Sequence, residues 1–181
     1  MRSAAPRPAG APEYNEPVVD GPGGRTATEP RWLTPAQQRA WRAYMEGSQR
    51  LMAELNRQLL ADSRLSLADY RILVKLSEAP GRAMRMSDLA DGVLSSRSRL
   101  THQIRRMEAQ HMVRRTSAEE DGRGVRAHLT EEGMRRLRAA APGHVDAVHR
   151  DFIDLLTPQQ LEAVAAAFTL IGRALDQRPP P

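Results

Sequence analysis

The sequence predicts a mainly α-helical fold with a small β wing, and three observations indicate it. Two segments share one kind of helix start, Thr34-Pro35-Ala36-Gln37 and Thr157-Pro158-Gln159-Gln160, with a threonine cap followed by proline. Apolar residues follow both starts at helical spacing. Between these segments, two short amphipathic stretches joined by a tight turn precede a basic stretch with period-two alternation, which is typical of a hairpin.

Composition limits the protein to one globular domain and narrows its chemistry. A chain of 181 residues with 40% hydrophobic content has room for one core of ordinary size. Without cysteine it can hold neither a disulfide nor a thiolate zinc site, and no apolar run is long enough to span a membrane. The formal charge is +5 and Lys75 is the one lysine, so guanidinium groups, which suit phosphates and guanine edges, carry nearly all the positive charge. We expect a cytoplasmic protein with no cofactor, no metal ion and no membrane partner.

The domain boundaries follow from where proline and glycine concentrate. Residues 1–30 hold six prolines and four glycines with few large apolar side chains, so we expect a disordered tail. Residues 178–181 are expected to form a second disordered end. The single domain is predicted over residues 31–177. Within it, residues 33–60 and 131–176 supply helices at the two ends, and residues 64–130 form a middle lobe.

The terminal helices carry more apolar surface than the middle lobe can cover. The first helix is predicted over residues 35–60 and would be about 39 Å long at roughly 1.5 Å per residue. A later helix opens at Glu131 and is expected to kink or break near Ala141, because Pro142 removes a backbone donor and clashes with the preceding turn. We expect homodimerisation through both ends of the chain. A monomeric helical bundle is the alternative.

The helix predicted over residues 96–110 has two chemically different faces. Leu100, Ile104 and Met107 share one narrow face. The opposite face carries short hydroxyls, one imidazole and guanidinium groups, namely Ser98, Thr101, His102 and Arg105, flanked by Arg99 and Arg106. A solvated face normally mixes charge signs. This one has no carboxylate near its centre, so it predicts contact with DNA, where arginine reaches guanine edges and hydroxyls bind bases or phosphates. A solvated basic face is the alternative.

The basic stretch after His111 is predicted to form a β-hairpin from residues 113–116 and 125–129, with the tip Asp121-Gly122-Arg123-Gly124. An arginine between glycines suits insertion into a narrow minor groove, so Arg123 is predicted to enter it, with Asp121 as its brace. A generic solvated tip is the alternative. The predicted DNA contacts are Ser95, Ser96, Arg97, Ser98, Arg99, Thr101, His102, Arg105, Arg106, Arg114, Arg123 and Arg126.

These features together resemble the MarR family of bacterial transcriptional regulators. The resemblance rests on residues 94–115, on Glu120-Asp121-Gly122-Arg123-Gly124 and on Leu129-Thr130-Glu131-Glu132-Gly133, and it covers residues 33–176. It implies a winged helix-turn-helix domain flanked by N- and C-terminal dimerisation helices, in a homodimer that binds double-stranded DNA at a palindromic operator. Many members of the family release DNA when a small molecule binds between the dimer region and the DNA-binding lobe.

The resemblance also draws attention to positions outside the DNA surface. Trp41, Tyr44, Met45 and Tyr70 are the candidate lining of an effector pocket, and the alternative is that they are core residues. His111 stands where the family often has glycine after the recognition helix, and histidine tolerates left-handed backbone better than most residues. Pro142-Gly143 interrupts a helix that is usually continuous in the family.

The sequence therefore predicts a sequence-specific, double-stranded DNA-binding transcriptional regulator, as a homodimeric repressor that a small-molecule effector releases. An enzyme is disfavoured because the chain has no nucleophile elbow, phosphate-binding glycine loop or zinc-protease motif. His144 and His149 are five residues apart, which places them on different sides of one straight helix and disfavours a shared metal ion. The remaining alternative is a protein-binding helical regulator, of the sigma-factor antagonist type, that does not bind DNA.

Overall fold

The structure is a computed structural model that describes residues 30–118 and 124–178. Its contacts divide the chain after Met45 into two units, and the first described unit holds the start of the first helix. The predicted tail at residues 1–30 lies outside the described residues except for Pro30, and so does the predicted disordered end except for Arg178.

The first helix, α1 (Pro35–Ser63), begins as the sequence predicts and ends three residues later than residue 60. The backbone N–H of Thr34 donates to Gln37 Oε1 at 2.8 Å, and the backbone N–H of Gln37 donates to Thr34 Oγ1 at 3.3 Å. This reciprocal pair is a capping box, which satisfies backbone donors that the first helical turn leaves without partners.

The second unit holds the end of α1 and all later elements. In chain order these are α2 (Leu67–Glu78), β1 (Ala83–Arg85), α3 (Met86–Gly92), α4 (Arg97–Ala109), β2 (Val113–Ala118), β3 (Gly124–Leu129), α5 (Glu131–Asp151) and α6 (Pro158–Asp176). Short 3-10 turns at Pro80–Arg82 and Ile153–Leu155 connect α2 to β1 and α5 to α6. The predicted fold class, mainly helical with a small sheet, is confirmed. Among the described residues, none of the helices combines the length and apolar character that crossing a membrane requires.

The sheet has three antiparallel strands in the order β1-β3-β2. β2 and β3 form the predicted hairpin, with Val113 opposite Leu129 and Ala118 opposite Gly124. β1 pairs with the other edge of β3, with Ala83 opposite His128. Sequence patterning did not reveal β1, because three residues are too few to establish a period-two alternation.

The core lies where α2, α3, α4 and α5 meet the sheet. Leu100, Ile104 and Met107, the predicted inward face of α4, are completely buried. Leu89 of α3 and Leu73 of α2 are also completely buried in the same cluster. The apolar stripes read from the sequence therefore meet in one core, which fixes the orientation of α4 and leaves its polar face outward.

Side-chain caps and left-handed residues determine where the central helices begin and end. Ser66 Oγ caps α2 and Ser96 Oγ caps α4, each accepting from the backbone N–H three residues later. Leu94 ends the turn before α4 with φ 54°, and His111 follows α4 with φ 59°. His111 thus adopts the left-handed backbone that the family resemblance implies at that position.

Of the kink or break predicted near Ala141, the break is wrong, because α5 runs as one helix from Glu131 to Asp151 with Pro142 inside it. Proline removes one backbone hydrogen bond from a helix. The helix can still continue through the proline when packing stabilises the turns on both sides of it. Ala140 and Ala147 are buried on either side of Pro142. Gly143 lies against Gln58 of α1, where a Cβ would be 3.4 Å from the amide nitrogen. Tertiary contacts therefore maintain the helix across the proline.

Candidate nucleic-acid interface

The outward face of α4 is the centre of the candidate site. Arg97, Ser98, Arg99, His102 and Arg105 are exposed, whereas the residues on the other side of the helix are buried. Thr101 is half-buried. The one carboxylate on α4, Glu108, is bound to a hairpin residue. The helix therefore presents a surface of cations and hydroxyls without a negative charge.

A groove separates α4 from the hairpin, and we call it the wing-side groove. It has a volume of about 370 Å³ and is lined by Arg85, Met86, Ser87, Arg97, Thr101, Arg115, Gly124 and Val125. Arg115 crosses from β2 to α4, where its Nε donates to Glu108 Oε2 at 2.8 Å. The backbone N–H of Arg115 also donates to Glu108 Oε1 at 2.9 Å. These two hydrogen bonds lower the pKa of Glu108 and fix the hairpin against α4.

A second groove lies on the opposite side of α4, and we call it the α2-side groove. It has a volume of about 640 Å³ and is lined by Ser66, Ala68, Arg71, Val93, Leu94, Ser95, Ser98, Arg99, His102, Gln103 and Arg106. No carboxylate is among these lining residues. Arg105 belongs to neither set of lining residues and is exposed. The outward face of α4 is therefore a ridge between two cationic grooves.

The hydroxyl groups on this surface differ in which hydrogen bonds they can still make to a ligand. Ser96 Oγ accepts from the backbone N–H of Arg99 at 3.3 Å, so its hydroxyl hydrogen is left for a phosphate oxygen. Thr101 Oγ1 donates to the carbonyl oxygen of Arg97 at 2.8 Å. Thr101 can therefore meet a base as an acceptor or through its methyl group, and not as a donor.

A buried carboxylate fixes α4 to α2. Asp69 is 7% exposed, and its Oδ1 accepts from Arg106 Nη2 at 2.8 Å and from Gln103 Nε2 at 3.1 Å. Ser66 Oγ donates to Asp69 Oδ2 at 2.6 Å. Burial alone raises the pKa of Asp69, but the hydrogen bonds from Ser66, Gln103 and Arg106 outweigh it, so this pKa lies below its ordinary value. Arg106 is thus engaged within the protein, and its predicted role at DNA remains a prediction.

Replacing Asp69 with asparagine should lower the free energy of unfolding by about 2 kcal/mol at neutral pH, because Arg106 and Gln103 lose a charged acceptor. A carboxyl group whose pKa is lowered by folding stabilises the protein above its unfolded pKa of about 3.9, and this contribution is lost as the pH falls through the folded pKa. Urea unfolding at several pH values should therefore show the wild type converging on Asp69→Asn in acid. Glu78→Gln is the matched control, since Glu78 is exposed on the same helix and makes no ion pair in residues 30–118 and 124–178. A difference that did not change with pH would contradict this account.

Two predicted DNA contacts of the hairpin, Arg114 and Arg126, line neither groove beside α4 and share the sheet face opposite the buried Val113 and Ala127. Arg114 is exposed, and the half-buried Arg126 donates from Nη2 to the carbonyl oxygen of Ala83 at 3.4 Å. Both lie beside His128, whose pKa is lowered by burial and by these two arginines. The predicted minor-groove residue Arg123 and its predicted brace Asp121 lie outside the described residues.

The candidate effector residues have different surroundings. In the first unit, the rings of Trp41 and Tyr44 are 5.8 Å apart at their centroids, and both residues are exposed. Met45 is half-buried. In the second unit, Tyr70 is buried and its ring lies 4.5 Å from that of His144, where burial lowers the pKa of the histidine. The effector pocket remains a prediction.

Sequence reasoning missed three arginines of the two grooves. Arg85 lies on the unpredicted strand β1, and Arg115 lies on β2 next to the predicted contact Arg114. Arg71 follows Tyr70 on α2, and its position opposite the buried Ile72, Leu73 and Leu76 was the available signal. This helical position predicts only that Arg71 is exposed. Its proximity to α4 could not be predicted, because it depends on how the two helices pack.

The fold and site define a class of protein. Two helices joined by a short turn, followed by a small antiparallel sheet whose hairpin borders the second helix, form a winged helix-turn-helix, a DNA-binding architecture. The model of the MarR family matches residues 65–125. The structure of AbsC, a MarR family transcriptional regulator from Streptomyces coelicolor, is similar with a TM-score of 0.78 and 46% identity, covering 82% of this chain and 100% of that one. This chain belongs to the MarR family, whose members are transcriptional regulators and not enzymes.

Two further relatives support this assignment. Sco3205, a MarR family transcriptional regulator from Streptomyces coelicolor solved in complex with DNA, has a TM-score of 0.79 and 42% identity, covering 83% of this chain and 93% of that one. The uncharacterized HTH-type transcriptional regulator YfiV of Bacillus subtilis is 28% identical over 113 residues, or 62% of this chain and 68% of that protein.

Proposed function

We propose that this regulator is a repressor that binds a palindromic double-stranded operator as a homodimer and is released by a small-molecule effector. The observation that carries the DNA-binding part is the carboxylate-free outer face of α4, which forms a ridge between two cationic grooves. The major groove of B-DNA is about 12 Å wide and admits one α-helix. A helix bound in the major groove has a negatively charged sugar-phosphate strand on each side. The two positively charged grooves beside α4 are complementary to these two strands.

The homodimer is proposed from the apolar surface of α6. No residue of this helix is buried, yet Phe168, Ile171 and Leu175 recur on one side of it and are about half exposed. An apolar stripe of this kind is stabilised when a second chain covers it. Two copies would place their α4 helices in successive major grooves roughly 34 Å apart, which accounts for a palindromic site. The DNA complex of the relative Sco3205 supports DNA as the partner.

A salt titration tests the proposal against the alternative of a protein-binding regulator. The purified full-length chain is mixed with a labelled random-sequence duplex pool, bound duplexes are selected, and their affinity is measured by fluorescence anisotropy at increasing salt. We expect the logarithm of the affinity to fall linearly with the logarithm of the salt concentration, because each neutralised phosphate releases counterions. No enrichment of any duplex over the starting pool would contradict sequence-specific binding, and would favour the protein-binding alternative.

The ridge residue Arg105 is expected to select the operator sequence. Arg105→Ala should change the preferred sequence in the selected duplexes and weaken binding to the wild-type sequence by roughly 10-fold, since a bidentate arginine-guanine contact contributes about 1–3 kcal/mol. Repeating the selection with the variant gives the readout. Thr101→Ala tests the neighbouring position, where loss of the methyl group and acceptor should relax one base preference. If either variant weakened all sequences equally, that residue would contact phosphate and not bases.

A further inference from the structure

We propose that the α2-side groove holds one sugar-phosphate strand of the bound duplex, and that Arg71 and Leu94 contact this strand. The inference rests on the proposed DNA-binding function and deepens it. It adds α2 to the elements that touch DNA, and it gives a role to an exposed leucine in the turn of the helix-turn-helix.

The charges of the groove fit a phosphate backbone. Its lining includes Arg71, Arg99, Arg106 and His102, with no carboxylate among the lining residues. The charge of Arg106 is largely offset by Asp69, 2.8 Å away. Arg71 and Arg99 make no ion pair with a carboxylate in the two described ranges, so their positive charges are available to an anion. Arg71 therefore supplies a cation from α2 that faces the cations of α4 across the groove.

Leu94 shows two features that the fold alone does not favour. Its φ is 54°, a left-handed conformation that is sterically unfavourable for a residue with a Cβ atom and a bulky side chain. It is also 87% exposed, so it gains little from burial in the core. A glycine would satisfy the same backbone without strain. An exposed leucine at this position is explained by a contact that the isolated chain does not contain.

The combination of apolar and cationic lining distinguishes a nucleic-acid strand from a small inorganic anion. A DNA strand alternates charged phosphates with the apolar face of deoxyribose. Leu94, Val93 and Ala68 provide apolar surface in the same groove as the arginines. A free phosphate ion would use the cations and the hydroxyls of Ser95 and Ser98, and would leave the leucine in water. The strand makes use of both kinds of surface.

The walls of the groove are held at a fixed separation. Asp69 on α2 binds Arg106 and Gln103 on α4, and these two α4 residues line the groove. Arg71 is two residues from Asp69 on the same helix, so its backbone position relative to α4 is set by that network. With α4 in the major groove, one bordering strand would meet the α2-side groove and the other the wing-side groove.

The first test compares Arg71→Ala with Arg138→Ala on duplexes that the wild-type protein has selected. Arg138 is exposed on α5 and makes no ion pair in the parts of the chain described, so its replacement changes the net charge equally. We expect Arg71→Ala to bind about 10-fold more weakly at low salt, and the slope of log affinity against log salt to become shallower by about 0.9, the value for one phosphate. Arg138→Ala should match the wild type.

The second test uses Leu94→Gly, in which stability and binding should change in opposite directions. Because glycine accepts the left-handed backbone, the melting temperature should rise. DNA affinity should nevertheless fall several-fold, a result that a purely structural role for Leu94 does not produce. If Leu94→Gly bound as tightly as the wild type, the sugar contact would be wrong.

A third experiment locates the strand and separates the outcomes. Selected duplexes carrying one neutral methylphosphonate linkage at successive positions are titrated with the wild type and with Arg71→Ala. A linkage that weakens binding by the wild type but not by the variant marks the phosphate bound by Arg71.

If the wild type binds its operator and Arg71→Ala behaves like Arg138→Ala, the strand contact is wrong and the proposed function stands. If the wild type binds no duplex, the proposed function falls with it. Thermal stabilisation by inorganic phosphate that is lost in Arg71→Ala, with an unchanged DNA slope, would make the groove a small-anion site and overturn the proposal.

Discussion

Replacing Gly133 with alanine is expected to destabilise the fold by about 3 kcal/mol, since inserting a methyl group into a closely packed site forces the backbone to move. A Cβ at this position would lie 2.1 Å from the carbonyl oxygen of Met112 and 2.7 Å from Leu129 Cδ1. The same carbonyl oxygen accepts from the backbone N–H of Thr130 at 3.1 Å. The added methyl group would separate the start of α5 from the chain that links α4 to the hairpin.

Urea unfolding monitored by circular dichroism measures this effect, and Gly47→Ala is the matched control. Gly47 lies inside α1, and a Cβ added there would have nothing within 4 Å, so alanine should stabilise the helix by about 0.5–1 kcal/mol. The same chemical change thus has opposite signs at the two sites. An equal midpoint for Gly133→Ala and the wild type would show that the contact between α5 and residue 112 is not close in solution.

Placing a charge on the apolar stripe of α6 is expected to have the largest effect on DNA binding. Ile171→Asp introduces a carboxylate into the proposed dimer interface, where it would be desolvated without a partner. A monomer carries one recognition helix and loses the gain from linking two half-site contacts, which is on the order of 100-fold or more in affinity. Sedimentation measures the loss of the dimer, and anisotropy with the selected duplex measures the loss of binding.

Ala166→Asp provides the control for this experiment. Ala166 is exposed on the other side of α6 from Ile171, so the variant carries the same added charge away from the stripe. We expect it to remain dimeric and to bind DNA within a few-fold of the wild type, as its distance from the proposed interface implies. A dimeric Ile171→Asp with wild-type affinity would show that α6 does not form the interface, and the homodimer would then need another surface.

Several features of the site could be predicted from sequence because they depend on local chemistry. The capping box at Thr34 follows from a short motif, and so does the serine cap that begins α4. The inward face of α4 follows from the helical period of Leu100, Ile104 and Met107, and once that face is fixed the polar face must point outward. The hairpin of β2 and β3 follows in the same way from period-two alternation.

Features that depend on contacts between distant segments were not predictable in this way. Pro142 favours a break in any isolated helix, and only the packing of α5 shows that the helix continues. Asp69 looks like one member of a local cap, yet it also binds Arg106 from 37 positions later in the chain. No local pattern encodes that partner.

The sequence by itself therefore determined which face of α4 is exposed, because amphipathic periodicity indicates which side of each helix must be buried. It did not determine the grooves on either side of that face or which residues line each groove. Arg71 joins the arginines of α4 in one groove, and Arg85 and Arg115 join Arg97 and Thr101 in the other, because α2, β1 and β2 pack beside α4. Tertiary structure decided this, since the separation between two charges on different elements is set by how the core packs and not by the spacing of residues along the chain.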